Sequence, residues 1–142
     1  HGTVIVKRDD SVKFNLKGIS SIDDIALLTV KGGGMVGVTG IASRLFSALA
    51  SKDINIILIT QGSSEHSICL AILPKHTKGA KKVIEQEFKN EISDGKISDI
   101  IIEDNLSIIA VVGEDLRQTP GITGKVFEAL GERKININMG KP

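Results

Sequence analysis

Residues 25–73, IALLTVKGGGMVGVTGIASRLFSALASKDINIILITQGSSEHSICLAIL, carry the pattern on which the fold reading turns. The unbroken apolar run at 25–30 suits a strand covered on at least one face. Gly32-Gly33-Gly34 ends it. From Gly40 onward, Ile41, Ala42, Leu45, Phe46, Leu49 and Ala50 recur at steps of three and four, which places them on one helix face, with Arg44, Ser47, Ser51 and Lys52 on the other. Residues 54–60 and 66–73 then read as an antiparallel pair around a short polar loop, and Pro74 stops the second strand.

Working outward, residues 77–92 are expected to form a second amphipathic helix with Ala80, Val83, Ile84, Phe88 and Ile92 inward. Ser93-Asp94-Gly95 is its natural stop, and 97–102 supplies a fourth strand. The unit reads βαββαβ, the ferredoxin-like α+β pattern. Upstream, residues 3–6 form a short extended run and residues 12–19 alternate like a half-buried strand before 20–24 turn the chain into the central unit. A chain opening on His-Gly-Thr with a strand and no leader is expected to be a cut from something longer or a tag scar. Downstream, a fixed offset of 81 maps Val30, Gly32, Gly40, Ile41, Phe46, Leu49, Ile54, Asn55 and Ile56 onto Val111, Gly113, Gly121, Ile122, Phe127, Leu130, Ile135, Asn136 and Ile137. Such an offset marks a duplicated unit, here with a strand at 106–112, a helix from Gly121 to about Gly131 and a strand at 135–137. This second copy has no counterpart to residues 61–102. The expected organisation is residues 1–20 as linker and strand, 21–104 as the first domain and 105–142 as a partial second one.

Composition narrows the function. Eighteen basic and 17 acidic residues, scattered, leave a net charge of +1, which asks for neither a nucleic acid nor an anionic membrane. The four aromatic residues are all Phe, so a base-stacking platform is missing too. Cys69 is the only cysteine. With no disulfide possible inside the chain, a reducing cytoplasm is the expected compartment and a packed core thiol the expected role of Cys69. No apolar run reaches transmembrane length.

Gly32-Gly33-Gly34-Met35-Val36-Gly37 satisfies G-x-G-x-x-G between a strand and a helix and would cradle a pyrophosphate in a dinucleotide fold. Three features oppose that reading. The second copy has Asp115 and Gln118 where Gly34 and Gly37 stand, the next strand lacks a terminal acid for a ribose, and residues 54–73 form a hairpin where a crossover is required. The glycines shared by both copies, Gly40 and Gly121, either open a helix whose free N–H groups at Ile41 and Ala42 attract a carboxylate, or permit close packing of helix on strand. Asn55 and Asn136 are polar residues in apolar strands and need partners there, from backbone or ligand. No nucleophile, paired carboxylates or metal-ligand spacing stands out, so no catalytic residue, metal or cofactor is expected.

Met35-Val-Gly-Val-Thr-Gly-Ile-Ala-Ser-Arg-Leu-Phe, Ile54-Asn-Ile-Ile-Leu-Ile-Thr-Gln-Gly-Ser-Ser-Glu and the repeated Gly-Ile-x-x-x-Leu/Val-Phe-x-Ala-Leu, with Leu45 in the first copy and Val126 in the second, closely resemble the tandem ACT domains that form the regulatory region of aspartate kinases, most of all the threonine-sensitive aspartokinase–homoserine dehydrogenase type. The resemblance covers nearly the whole chain. It implies a module that binds an end-product amino acid, forms a homodimer through its ACT domains and shifts a kinase domain of the parent chain between active and inhibited states. It also implies an effector pocket drawing on Met35, Gly40, Ile41, Ala42, Asn55, Ile56, Gln61, Ser64 and Glu65. Lysine-sensing members have an aspartate where this chain has Ile57, so threonine is the favoured effector and lysine the second. Two alternatives stand beside this: an ACT module that mainly dimerises, and a dinucleotide-dependent enzyme.

Overall fold

The computed structural model describes residues 16–35, 38–61, 66–113, 116 and 120–137. The expected extended run at 3–6, the first half of the strand at 12–19, the hairpin tip at 62–65 and the end of the chain lie outside these. In chain order the regular elements are β1 (Leu16–Lys31), α1 (Ile41–Ala50), β2 (Leu58–Gln61), β3 (Ser67–Ile72), α2 (Thr77–Glu87), α3 (Lys89–Ser93), β4 (Asp99–Gly113) and α4 (Ile122–Glu132), with 3-10 turns at Gly33–Met35 and Pro74–His76. The strands form one sheet in the order β2-β3-β1-β4, with β3 antiparallel to both of its neighbours. That order is the one a βαββαβ chain adopts when each helix crosses over the same face.

Alternation decides which face is covered. Ala26, Leu28 and Val30 of β1 stand opposite Ile72, Leu70 and Ile68 of β3, and these six residues share a core with Ile41, Leu45 and Leu49 of α1 and Ala80 and Ile84 of α2. The spacing of apolar residues therefore put α1 and α2 on the sheet as expected. Two compact units divide the chain: residues 21–108, and a discontinuous unit of 1–20 with 109–142.

Several boundaries differ from the sequence reading. β1 and β4 are single long strands, where a turn was expected at 20–24 and two separate strands at 97–102 and 106–112. Asp24 (φ 56°) and Asn105 (φ 61°) supply the bend as single left-handed residues, a conformation Asp and Asn tolerate better than most, so the strand deflects without ending. β2 begins at Leu58 and not at residue 54, because the Ile54 N–H is held by Leu49 O in the helix cap and strand pairing starts only with the Ile57 N–H on Ala71 O. Residues 135–137 are likewise not a strand, since Ile135 N–H caps α4 through Leu130 O. The helix expected over 77–92 breaks at Phe88 (φ −105°, ψ 25°), whose ring is fully buried. The break turns Ile92 outward, and it is 37% exposed instead of inward. Ala50, expected on the apolar face of α1, is exposed as well.

The offset of 81 holds in the backbone. Three left-handed residues of the first copy have counterparts in the second: Asp24 with Asn105, Gly40 with Gly121, and Asp53 with Lys134, while Gly95 (φ 71°) falls in the part of the first copy that is not repeated. The helix ends match bond for bond. Asp53 N–H bonds Ala50 O and Ile54 N–H bonds Leu49 O, while Lys134 N–H bonds Gly131 O and Ile135 N–H bonds Leu130 O, a Schellman cap with a non-glycine residue in the left-handed position. Burial does not match. Ile54 is 6% exposed and Ile135 52%, and α4 has no buried residue. Among the described residues nothing in the second copy corresponds to β3 and α2, which cover the first.

The end of β1 lies backbone against backbone on the start of β4. Ser98 N–H bonds Lys31 O at 2.8 Å and Gly34 N–H bonds Lys96 O at 3.1 Å. A Cβ on Gly32 would lie 2.0 Å from Lys96 O, and one on Gly34 2.5 Å from Lys96 Cβ. Gly32→Ala is therefore expected to lower unfolding free energy by about 2 kcal/mol or more, the cost of a backbone that must shift around an overpacked site. Gly33→Ala, where an added Cβ meets nothing within 4 Å, is expected to stay within about 0.5 kcal/mol. Urea denaturation of the two variants measures this directly, and equal losses would mean that the close approach does not govern stability.

Candidate functional site

α1 begins without a side-chain cap. Gly40 is its N-cap with φ 87°, ψ −4°, and the first intrahelical bond runs from Arg44 N–H to Gly40 O at 2.9 Å. A Cβ on Gly40 or Gly121 would meet nothing within 4 Å, so close helix packing, one of the two readings left open above, is not what these glycines provide. They provide a left-handed entry to the helix that other residues adopt at a cost. The N–H groups of the first turn receive no bond from a capping side chain, which leaves them as donors at the positive end of the dipole.

The candidate effector residues fall into three places. Met35 and Ile41 are buried core residues, 6% exposed each, with Ala42 half-buried beside them. Gln61 ends β2 opposite Ile68, which stands opposite Val30. Its side chain is thus on the helix-covered face, at the end of the sheet where β1 hands over to α1, and it is exposed. Asn55 and Ile56 lie before β2, next to the far end of α1. Asn55 is exposed, so the buried amide in need of partners is absent from this position. Four residue steps of strand separate Ile57 from Gln61, about 13 Å, and Asn55 is farther still. One free amino acid bound by one chain reaches Gln61 and the α1 start, or Asn55, and not both. Ser64 and Glu65 lie outside the described residues.

The glycine-rich turn is not a dinucleotide cradle. N–H groups such a cradle would offer are engaged, Gly32 N–H by His66 O at 2.9 Å and Gly34 N–H by Lys96 O, and one of the two strands beside β1 is the antiparallel β3, where a dinucleotide fold has parallel neighbours. Gly37 is outside the described residues. Cys69 is half-buried with its Sγ 3.4 Å from Thr29 Oγ1 across the strands, as a packed thiol would be.

Arg44 was assigned to the solvent face, and the structure gives it another role. Its Nε donates to Glu87 Oε1 at 2.8 Å, its Nη1 to Glu91 Oε1, and its Nη2 to the Glu87 carbonyl at 2.9 Å, while the guanidinium lies 4.6 Å from the centre of the Phe88 ring. One side chain of α1 thereby holds the end of α2, the break at Phe88 and α3. Donating hydrogen bonds to Glu91 and then to Glu87 raises the Arg44 pKa, and the bond from Arg44 in turn lowers that of Glu91. Because Arg44 remains 41% exposed, water screens much of this attraction and the cluster is worth about 1 kcal/mol. No local pattern in the sequence signals it, since the partners are 43 and 47 residues away.

A separate open cleft of about 380 Å³ is lined by Lys81, Glu85, Lys89, Ile92, Ile97, Ser98, Asp99 and Ile100. It shares no residue with the candidate effector set. Its charges are mixed, and Lys81 faces Glu85 at 4.0 Å, so it presents no field of one sign to a ligand.

A ferredoxin-like sheet thus carries a glycine-entered helix over one face, and the helix entry and helix cap recur at a fixed offset. The ACT domain family matches residues 28–88 and 109–140, and the chain belongs to that family. The bifunctional aspartokinase/homoserine dehydrogenase 1 of Arabidopsis thaliana, named as chloroplastic, is 41% identical over 96% of this chain and 16% of its own length. The corresponding Haemophilus influenzae protein is 41% identical over 96% of this chain and 17% of its own length. The chain thus spans about a sixth of the curated relatives it matches. Among solved structures, the regulatory subunit of aspartate kinase from Thermus flavus superposes with a TM-score of 0.73 at 22% identity, covering 91% of this chain and 83% of that one. Clostridium acetobutylicum aspartate kinase gives 0.78 at 22% identity over 96% of this chain and 30% of its own. The fold is that of aspartate kinase regulatory domains, and no helix among the described residues is long and apolar enough to cross a membrane.

The Arg44 cluster makes stability sensitive to acid. Glu91 has a folded pKa below its ordinary 4.5, so its charged form stabilises the fold above that value and the contribution is lost as pH falls through the folded pKa. Glu91→Gln is expected to cost about 1 kcal/mol at pH 7 and progressively less at an acid pH, as wild type loses the same contribution through the folded pKa of Glu91. Urea midpoints at the two pH values test this, and an equal gap at both would remove the ion pair as the cause.

Proposed function

We propose that this chain is the amino-acid-sensing regulatory region of an aspartate kinase, an enzyme that phosphorylates L-aspartate with ATP, and that it mediates feedback inhibition, with threonine as the effector. The observation that carries the reading is the convergence of Gln61 with the uncapped start of α1 at one end and on one face of the sheet, in a chain of this family. Donors at Ile41 and Ala42 suit a carboxylate, and the Gln61 amide oxygen suits an ammonium. The first ACT unit corresponds to residues 21–104 and the second, partial unit to 105–142.

Two copies would complete the site. β2 is an edge strand with Leu58 and Ile59 exposed at 41% and 47%, an edge that invites pairing with its own twofold mate. A twofold axis through residue 59 sets Ile57 of one copy opposite Gln61 of the other, which removes the 13 Å separation that one chain imposes. A threonine between them has its methyl against Ile57 and its polar atoms toward Gln61. A lysine ammonium placed there would lose water without gaining a counter-charge. The E. coli aspartokinase III solved with lysine and aspartate superposes at a TM-score of 0.58 and 24% identity, so lysine is the effector to test against threonine.

Thermal shift of the full-length protein is expected to rise with threonine and stay level with lysine, since a ligand that binds only the folded state stabilises it by mass action. A rise with lysine alone would overturn the choice of effector. Gln61→Ala is expected to weaken threonine binding by about 1–3 kcal/mol in calorimetry. Unchanged affinity would remove Gln61 from the site, and a monomer in sedimentation at high concentration would remove the shared pocket.

A further inference from the structure

The residues between 88 and 98 touch the start of α1 from two directions. Glu91 is the centre of this strap. Its side chain holds Arg44, one turn inside α1, and its carbonyl accepts both Lys96 N–H at 2.8 Å and Ile97 N–H at 3.1 Å. Lys96 in turn accepts Gly34 N–H, in the connection that leads into α1. Contacts thus run from α1 to Glu91, from Glu91 to Lys96, and from Lys96 to Gly34 in the connection that precedes α1.

A helix N-terminus binds a carboxylate well only if its N–H groups are aimed before the ligand arrives, because ordering them on binding subtracts from affinity. Gly40 has an open, uncapped, left-handed conformation and supplies no rigidity of its own. Ile41 and Leu45 hold the start of the helix in the core, and the Arg44–Glu91 contact adds a tie to the 88–98 strap. Arg44 suits this duty: its planar fork makes several bonds of fixed direction, which a lysine's single point charge does not.

We propose that Arg44 and Glu91 are positioning residues for the effector site, holding the first turn of α1 against the 88–98 strap so that the Ile41 and Ala42 N–H groups are pre-aimed. The proposal rests on the effector reading above. Neither residue touches the effector, and both act through the helix start.

Calorimetry on the full-length protein tests it, with L-threonine and L-lysine as probes and wild type, Arg44→Gln, Arg44→Lys, Glu91→Gln and the double Gln variant as samples. Arg44→Gln and Glu91→Gln are each expected to weaken binding on the order of tenfold, with the double variant no weaker than either single one, because the pair works as one unit. Arg44→Lys is expected to fall between wild type and Arg44→Gln. Amide exchange without ligand guards against general destabilisation: Ile41 and Ala42 are expected to exchange faster in Glu91→Gln, with α4 unchanged. Wild-type affinity in both single variants, additive losses in the double one, or faster exchange throughout the chain would overturn the positioning role while leaving the effector site standing. Absence of binding by wild type with either amino acid would instead overturn the effector reading, and this role with it.

Discussion

Two stretches of chain, 31–34 and 96–98, lie against each other, main chain on main chain at Gly32 and with the root of the Lys96 side chain against Gly34. From this contact much of the first unit follows. It sets where β1 ends, where β4 starts, and the direction in which the connection leaves for α1. Gly32 and Gly34 are present because a Cβ at either would collide with Lys96, and their N–H groups are already bonded to His66 O and Lys96 O. A turn that looks built to receive phosphate is thus an internal joint. The same residue type serves both purposes for one reason, that only glycine lets another backbone or a ligand approach so closely.

The duplicated left-handed positions show which parts of the unit are under conformational constraint. Left-handed backbone costs an ordinary residue about 1 kcal/mol or more, yet Asp53 and Lys134 both adopt it to close a helix, and Asp24 and Asn105 both adopt it to bend a strand. Residue identity changes between copies while backbone geometry does not. The geometry therefore belongs to the unit and outranks local preference. Burial, by contrast, belongs to the neighbours: Leu49 is fully buried beneath its strands and helices, and Leu130, its equivalent, is only half-buried.

α1 combines an open end with a held body. Its first turn presents donors that no side chain caps, while Leu45 and Leu49 anchor it to the sheet and Arg44 ties it to the break between α2 and α3. The break itself arises because Phe88 is buried under that guanidinium and leaves the helical region of backbone space. An open helix end and a multi-element tie one turn away thus belong to the same helix.

The ferredoxin-like order, the helix faces and the tandem copy were legible in the sequence, because apolar spacing and a fixed offset are local or periodic signals that burial enforces residue by residue. The likeness of 35–46 and 54–65 to aspartate kinase regulatory regions was legible for the same reason, and the family assignment agrees with it. Boundaries were less so. That Ile54 caps a helix instead of opening a strand depends on a competition for one N–H, which residue type does not record. The sequence analysis could place Gly32, Gly34 and Arg44 in a turn and on a helix face, but not give them partners. Those partners, Lys96, Glu87 and Glu91, are brought near only when the second helix folds back over the sheet, and interactions across more than 40 residues leave no periodic trace. The tertiary structure also decided that Gln61 ends β2 while Asn55 stands before it, beside the end of α1, because the rise from Ile57 to Gln61 alone spans about 13 Å, which a single amino acid does not bridge.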